Sequence, residues 1–279
     1  MPLTTIDNLS ELQQRLTDLA RAGKRVALVP TMGALHAGHL ALVEEAKRRA
    51  DAVVVSIFVN PTQFSPNEDF TSYPRTPEQD TEKLRTAGVD IIYAPTADDI
   101  YPPGFITSVS VGEMGNILCG KFRPGHFDGV ATVVTKLLLR VLPHVALFGE
   151  KDYQQLCIVR QLTYDLDIPI QIVGVPTLRE TDGLAMSSRN AYLSPDERAT
   201  APKLHQILQR TRERLDSGID IETATGEAMA LLMQAGFKPD YVEVRQPDSL
   251  FVMDKFTQPA RILAAAWLGK TRLIDNIAT

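Results

Sequence analysis

The sequence lacks the features that mark secreted, membrane-spanning and disulfide-rich proteins. It has two cysteines, Cys119 and Cys157, in 279 residues, and their wide separation fits neither a disulfide framework nor a metal-binding spacing. We therefore expect both thiols to be reduced, as in a cytosol. No apolar run reaches membrane-spanning length, and residues 1–7 (MPLTTID) lack the basic and apolar segments of a secretion signal. These absences predict a cytoplasmic protein without a membrane partner.

Strong charge bias and low-complexity segments are missing too. The formal net charge is −5, which argues against nucleic acid as the main partner. The hydrophobic fraction of 44% and charged fraction of 23% are typical of a globular chain. The length suits one large domain or two smaller ones, and no internal repeat is visible.

The first half of the chain alternates strand-like with helix-like segments. Repeated β-α-β order predicts an α/β fold with a doubly wound parallel sheet and right-handed crossovers. The β-branched run at 52–59 is typical of a parallel strand buried on both faces. The predicted strands are 26–30, 52–59, 89–94, 145–148 and 170–175, and the predicted helices are 8–22, 40–48, 77–87, 128–141 and 153–166.

The pattern changes near Pro176, where a polar, loop-like stretch begins. Two helical stretches and then two strand-like runs follow, which predicts a small α+β domain. We place the boundary near 176–185 and expect domains over 1–176 and 177–279. The predicted helices are 195–217 and 221–235, and the predicted strands are 241–245 and 261–267.

The most informative motif is PTMGALHAGH at 30–39, which lies between a predicted strand and a predicted helix. A helix start presents free N–H groups and a positive dipole end, which suit phosphate, and glycine lets the backbone approach a ligand. His36 and His39, three residues apart, can lie on one face of the first helical turn. His-x-Gly-His at such a junction resembles the signature of nucleotidylyltransferases and class I aminoacyl-tRNA synthetases, which holds the phosphates of ATP. A metal site or plain helix caps are the alternatives.

Amide side chains follow the next strand, in NPTQF at 60–64. Ligands in such folds bind beyond the carboxyl ends of the strands, so Asn60 and Gln63 are expected near the two histidines. An amide can recognise hydroxyls and carboxylates because it both donates and accepts hydrogen bonds. A capped turn, which Asn-Pro often makes, explains the same residues equally well.

A third segment, FGEKDYQQ at 148–155, also follows a strand. Gly149 allows close approach to a ligand. Lys151 could contact a phosphate, Asp152 a metal or ribose, and Gln155 the substrate. A solvated, charged helix start is the alternative.

Two loops add hydroxyl, basic and imidazole groups. In MSSRN at 186–190, hydroxyls beside a cation suit triphosphate binding. In GKFRPGHFDG at 120–129, three glycines precede or open a predicted helix, and either a surface turn or a functional loop explains them. The roles of Arg123 and His126 stay open.

Taken in their order along the chain, these segments resemble the pantothenate synthetase (pantoate–β-alanine ligase) family. The resemblance covers about 26–193, through PTMGALHAGH, FVNPTQF, RPGHF, FGEKDYQQ and MSSRN. It implies a Rossmann-like domain with a smaller C-terminal lid, usually as a homodimer. It also implies that ATP and Mg²⁺ are used to join pantoate to β-alanine, with release of AMP and pyrophosphate through a pantoyl adenylate.

The resemblance also implies roles for individual residues. The catalytic residues would be His36, His39, Lys151 and Arg189, while Gln63, Gln155 and Asn60 would bind pantoate or β-alanine. Leu178 replaces a residue that is often Val in the family, a conservative change. The ATP-binding residues would be Met32, Gly33, Ala34, Leu35, His36, Ala37, Gly38, His39, Gly149, Glu150, Lys151, Asp152, Leu178, Met186, Ser187, Ser188 and Arg189.

The chemistry agrees with these residue types. A carboxylate that attacks an anionic phosphate needs cations and hydrogen-bond donors, which Lys151, Arg189 and the two histidines can supply. No Ser-His-Asp or Cys-His constellation is evident, and this route needs none. The absence of Gly-x-Gly-x-x-Gly after the first strand argues against a dehydrogenase. Another His-x-Gly-His nucleotidylyltransferase and a non-catalytic nucleotide-binding regulator stay as alternatives.

Overall fold

A six-stranded parallel sheet forms the larger part of the protein, for which a computed structural model describes residues 3–66 and 68–279. The strand order β1-β4-β3-β2-β5-β6 confirms the predicted doubly wound parallel sheet. Apolar clusters cover both faces of the sheet, as its β-branched strands require. The strands are β1 (Thr4–Ile6), β2 (Val26–Thr31), β3 (Ala52–Ile57), β4 (Ile91–Tyr93), β5 (Val145–Gly149) and β6 (Gln171–Val175).

The helices of this part begin at residues that suit helix N-termini. Asn8 accepts a hydrogen bond from the Glu11 N–H, which satisfies a free donor at the start of the first helix. Pro77 occupies the first position of the third helix, where its missing N–H costs nothing. The helices are α1 (Leu9–Arg21), α2 (Ala37–Arg49), α3 (Pro77–Thr86), α4 (Ala97–Ile100), α5 (Cys119–Phe122), α6 (His126–Val141) and α7 (Tyr153–Asp165).

A three-stranded antiparallel sheet follows, and both of its faces are buried. Leu232 and Ile262 belong to the apolar cluster between this sheet and its own helices. On the other face, Tyr241, Leu263 and Ala265 join the core of the large sheet. The elements are α8 (Pro195–Thr200), α9 (Lys203–Asp216), α10 (Ile221–Gln234), β7 (Lys238–Arg245), β8 (Arg261–Leu268) and β9 (Thr271–Ala278).

The sequence pattern does not predict β1 or β9, and it predicts α8 and α9 as one helix. The three residues of β1 are too few to show a periodicity. The apolar pattern of β9 is interrupted by Asp275 and Asn276, which are buried. Pro202, between α8 and α9, has no N–H to continue the helix.

In the described part of the chain, no helix is long and apolar enough to span a membrane.

Helix α6 packs directly on the 3-10 turn Pro61–Gln63. Gly129 makes this contact possible, because a Cβ at this position would lie 2.3 Å from the Thr62 carbonyl oxygen and 2.8 Å from the Gln63 nitrogen. These are backbone atoms, which cannot rotate away as the end of a side chain could. A side chain at Gly129 would therefore displace either α6 or the turn.

We expect Gly129→Ala to lower the free energy of unfolding by about 1–3 kcal/mol, the usual cost of overpacking a tight contact. Urea denaturation measures the change. The matched control is Gly226→Ala in α10, where a Cβ would meet no atom of the described residues within 4 Å beyond its own helix backbone. It should be neutral or stabilise by up to about 1 kcal/mol through helix propensity. Equal stability of the two variants would contradict this prediction, because it would show that the turn can move away from a Cβ at Gly129 without a loss of stability.

Candidate active site

The His-x-Gly-His motif forms the turn into α2, and both imidazoles bind the backbone there. His36 caps the helix, and its Nδ1 accepts a hydrogen bond from the Gly38 N–H at 3.1 Å. His39 Nδ1 accepts from the His36 N–H at 3.2 Å. Since a neutral imidazole carries one proton, these bonds leave it on Nε2 in both rings. The capping alternative is therefore correct for the Nδ1 atoms, and each Nε2–H remains as a donor.

The glycine between the histidines makes room for an imidazole. A Cβ at Gly38 would lie 2.8 Å from Cε1 and 2.9 Å from Nδ1 of His36. The two rings stack with centroids 4.1 Å apart and a tilt of 41°. The ring of His36 can therefore fold back over the helix start only because Gly38 has no side chain.

Both histidines are neutral at neutral pH. Burial, together with the neighbouring His39 and Lys151, lowers the pKa of His36 to about 3. Burial also lowers the pKa of His39 to about 4, with Lys151 and Lys83 adding to the effect. Of the two roles expected from the sequence, cation or hydrogen-bond donor, neutral imidazoles can serve only as donors. Across residues 3–66 and 68–279, no cluster of three or more His, Cys, Asp or Glu side chains could hold a metal.

Asp80, which belongs to none of the sequence motifs, supports the loop before α2. This carboxylate is 1% exposed and accepts from the N–H groups of Ala34 and Leu35, both at 2.8 Å. Lys83, on the same helix α3, donates to the Leu35 carbonyl at 2.6 Å. Asp80 lies more than forty residues from its partners in sequence, so no local pattern could reveal the contact.

The amide of Asn60 is used within the protein. Its nitrogen donates to the Gln63 Oε1 at 3.0 Å and to the Gly129 carbonyl at 3.1 Å. Its oxygen accepts from the Tyr101 hydroxyl at 2.7 Å and from the Thr62 hydroxyl at 3.0 Å. Asn60 thus caps the turn and orients Gln63, while direct contact between Asn60 and a substrate stays a prediction.

Arg123 and His126, whose roles were open, surround Gln63. The His126 Nδ1 lies 2.7 Å from the Gln63 carbonyl, and the Arg123 Nη1 lies 2.9 Å from His126 Nε2. Burial and Arg123 lower the pKa of His126 to about 3, so its Nδ1–H donates and its Nε2 accepts. Glu68 accepts two hydrogen bonds of 2.6 Å from Arg123, which balances this cation.

The positive charge of Arg189 is balanced in the same way by Asp69, the residue after Glu68. Asp69 accepts two hydrogen bonds of 2.9 Å from the Arg189 guanidinium. The guanidinium also lies 5.5 Å from the centroid of the Tyr73 ring, and the Tyr73 hydroxyl lies 3.0 Å from the Ser188 hydroxyl. The loop after Gln63 is therefore joined to the MSSRN segment.

The structure separates the two glutamines at the start of α7. Gln154 is buried and bonds to the Cys119 N–H and to the carbonyls of Met114 and Ile117. Gln155 lines the cavity beside the histidines, and its amide has no hydrogen-bond partner among the described residues. Of these two glutamines, Gln155 is therefore the one whose amide can bind a ligand.

One cavity of about 220 Å³ collects most of the predicted residues at the carboxyl ends of the strands. A second cavity of about 380 Å³ adjoins it, reaches the small sheet and shares Lys151, Asp152, Gln155, Ser187 and Arg189. Gly33, Ala34, Leu35, Ala37 and Glu150 do not line the first cavity. Of the site residues predicted from the sequence, those that line the first cavity are Met32, His36, Gly38, His39, Asn60, Gln63, Gly149, Lys151, Asp152, Gln155, Leu178, Met186, Ser187, Ser188 and Arg189.

Comparison with known proteins extends over nearly the whole chain. The family model described as pantoate-beta-alanine ligase matches residues 4–278. A pantothenate synthetase of Paramagnetospirillum magneticum is 58% identical over 256 residues, which cover 91% of this chain and 90% of the relative. One from Rhizorhabdus wittichii is 53% identical and covers 98% of this chain and 97% of the relative.

Solved structures agree in fold. The pantothenate synthetase of Thermus thermophilus superposes with a TM-score of 0.92 at 46% identity, covering 98% of both chains. A pantoate-beta-alanine ligase of Francisella tularensis, complexed with beta-gamma ATP and beta-alanine, superposes with a TM-score of 0.85 at 38% identity, covering 99% of this chain and 97% of that one. With this fold, this cavity and this identity over its length, the chain belongs to the pantoate–β-alanine ligase family.

Proposed function

We propose that the cavity beside α2 is where this ligase activates pantoate with ATP and then joins it to β-alanine. The observation that carries the proposal is the set of groups around one cavity: two Nε2–H donors, the cations Lys151 and Arg189, and the free amide of Gln155. The Francisella relative, complexed with beta-gamma ATP and beta-alanine, supports both as ligands of this site.

In the first step, a pantoate carboxylate oxygen bonds to the α-phosphorus of ATP. The bond from that phosphorus to the bridging oxygen breaks, and pyrophosphate leaves with the electron pair. Negative charge builds on the phosphate oxygens, where His36 and His39 donate hydrogen bonds and Lys151 supplies a positive charge. Such preorganised donors stabilise a transition state because they need no reorganisation as the charge develops.

In the second step, the unprotonated amine of β-alanine attacks the acyl carbon of the adenylate. The C–N bond forms, the nitrogen loses a proton to solvent water, and AMP leaves with the electrons of the C–O bond. The cavity contributes mainly by holding the two reactants together, which can lower the barrier substantially. The adjoining cavity, which reaches the small sheet, offers β-alanine a route to the adenylate.

Asp152 fits a role in binding Mg²⁺ together with the substrate. It lines both cavities, while the neighbouring acidic residues Glu68 and Asp69 are each bound to an arginine. Mg²⁺ in proteins is often held by one or two carboxylates and the phosphates of the substrate. When bound, the ion would neutralise charge on the triphosphate.

Three further features belong to the same proposal. We propose homodimer formation on the strength of the family resemblance, and a cytoplasmic location because both cysteines are free thiols. We also propose units over 1–176 and 177–279. One apolar cluster built only from residues after 183 supports this division.

The reaction order predicts that ATP–pyrophosphate exchange requires pantoate but not β-alanine. Without a protein nucleophile, the adenylate must be the species that returns to ATP when labelled pyrophosphate is added. Incorporation of the label into ATP measures the exchange. Exchange that appears only with β-alanine would contradict a free adenylate, and ATP binding without exchange would favour a non-catalytic regulator.

We expect Gln63→Ala and Gln155→Ala to weaken the use of pantoate while ATP binding stays nearly intact. A lost buried hydrogen bond of about 1–3 kcal/mol implies roughly a 5- to 150-fold lower kcat/KM for pantoate. The matched control is Gln161→Ala, on the exposed side of the same helix α7, which should be unchanged. An unaltered pantoate response in both cavity variants would refute these assignments.

We expect His39→Ala, Lys151→Ala and Arg189→Ala each to slow adenylate formation by about 10²–10³-fold, the scale of losing one preorganised donor. The second step, started from preformed pantoyl adenylate and β-alanine, should suffer much less because pyrophosphate has already left. Rapid-quench assays of each step make the comparison, with the exposed Lys203→Ala as control. Equal losses in both steps would mean that these residues do not act on the phosphates.

A further inference from the structure

The backbone that carries Lys151 depends on contacts outside its own segment. Lys151 lies in the 3-10 turn Glu150–Asp152 between β5 and α7, and none of the described side chains caps the start of this turn. Among the described residues, Lys151 has no ion-pair partner to hold its side chain in place. Its position therefore depends on how the turn itself is held.

Asn276 of β9 reaches this turn from the small sheet. Its Nδ2 donates to the Glu150 carbonyl at 2.9 Å and to the Lys151 carbonyl at 3.0 Å. Asn276 is 3% exposed, so the bonds are shielded from water and an unmade bond would be costly. One amide group thus binds two successive carbonyls of the turn.

Arg261 of β8 sets the orientation of that amide. The Asn276 Oδ1 accepts from Arg261 Nε at 2.7 Å, so the amide nitrogen must face the turn. Arg261 is itself held by Glu150, at 3.2 Å, and its guanidinium lies 3.9 Å from the centroid of the Tyr153 ring. These contacts also explain why the Glu150 side chain faces the small sheet rather than the cavity.

The preceding residue fixes the strand from its other face. Asp275 accepts hydrogen bonds of 2.7 and 2.9 Å from Arg179. Arg179 pairs with Ala185 in an isolated antiparallel bridge, directly before the segment 186–189. Asp275 and Asn276 together therefore attach two loops of the cavity to one point of the small sheet.

We infer that Asn276 is a positioning residue for adenylate formation, which holds the Glu150–Asp152 turn so that Lys151 reaches the phosphates. The inference rests on the role proposed above for Lys151. Asn276 touches no reacting atom and acts only through the backbone of the turn. A displacement of about 1 Å in a catalytic group can cost about 10²-fold in rate, so the effect should be measurable.

The test is a double-mutant cycle in pantoate-dependent ATP–pyrophosphate exchange. Asn276→Ala should lower kcat by about 10- to 100-fold, with little change in KM for pantoate. The double variant with Lys151→Ala should be no slower than Lys151→Ala alone. Once the Lys151 amine is removed, the position of the turn that carries it no longer affects the rate. Asn276→Asp keeps the shape, removes the donors and should behave like Asn276→Ala, so it serves if the latter fails to fold.

The matched control is Ile277→Ala, the next residue on β9, which packs toward the helices of the small sheet. It should lower stability in urea and leave kcat unchanged, which separates positioning from general destabilisation. Multiplicative losses in the double variant, or a kcat loss in Ile277→Ala as large as in Asn276→Ala, would overturn the inference. A Lys151→Ala enzyme with the normal rate would instead refute the role proposed for Lys151, and the inference would fall with it.

Discussion

Two backbone N–H groups at the start of α2 donate to the Nδ1 atoms of His36 and His39, and the chemistry of the cavity depends on these bonds. They fix the tautomer of each ring and thereby place an Nε2–H on each imidazole. Burial keeps both rings uncharged, so they can lie beside each other and beside a lysine without strong repulsion. Asp80 fixes the loop just before them.

The two arginines of the site are each balanced by a carboxylate. Arg123 and Arg189 are bound to two successive acidic residues, Glu68 and Asp69, while Lys151 and Asp152 face the cavities. The two arginines thereby hold Glu68 and Asp69 beside the cavity. Buried or half-buried charges need such partners because desolvation would otherwise be costly.

Regular elements with a clear period were predictable from the sequence. The buried strands β2 and β3 and the amphipathic α1 and α10 lie within a few residues of their predicted positions, because local hydrophobic patterns determine them. The strand β9 was not predicted, since its buried Asp275 and Asn276 interrupt the apolar pattern and bind Arg179 and Arg261, which lie outside the strand.

The candidate site also has features that were predictable from local sequence motifs and features that were not. The strand-end motifs predicted which residues line one cavity, because the carboxyl ends of parallel strands meet at one edge. Asp80 and Asn276 could not be identified in this way, since the backbone groups that they bind lie forty or more residues away. Nor could the sequence show that Gly38 makes room for His36 or that Asn60 is fully hydrogen-bonded within the protein.

The small sheet contributes to two hydrophobic cores at once. Its face with Tyr241 and Leu263 completes the core of the large sheet, and its opposite face with Ile262 packs on its own helices. A chain cut near residue 176 would leave apolar surface exposed on both fragments, which is costly in water. Melting of the small sheet therefore weakens the core of the large sheet, and the two sheets are expected to unfold in one cooperative transition.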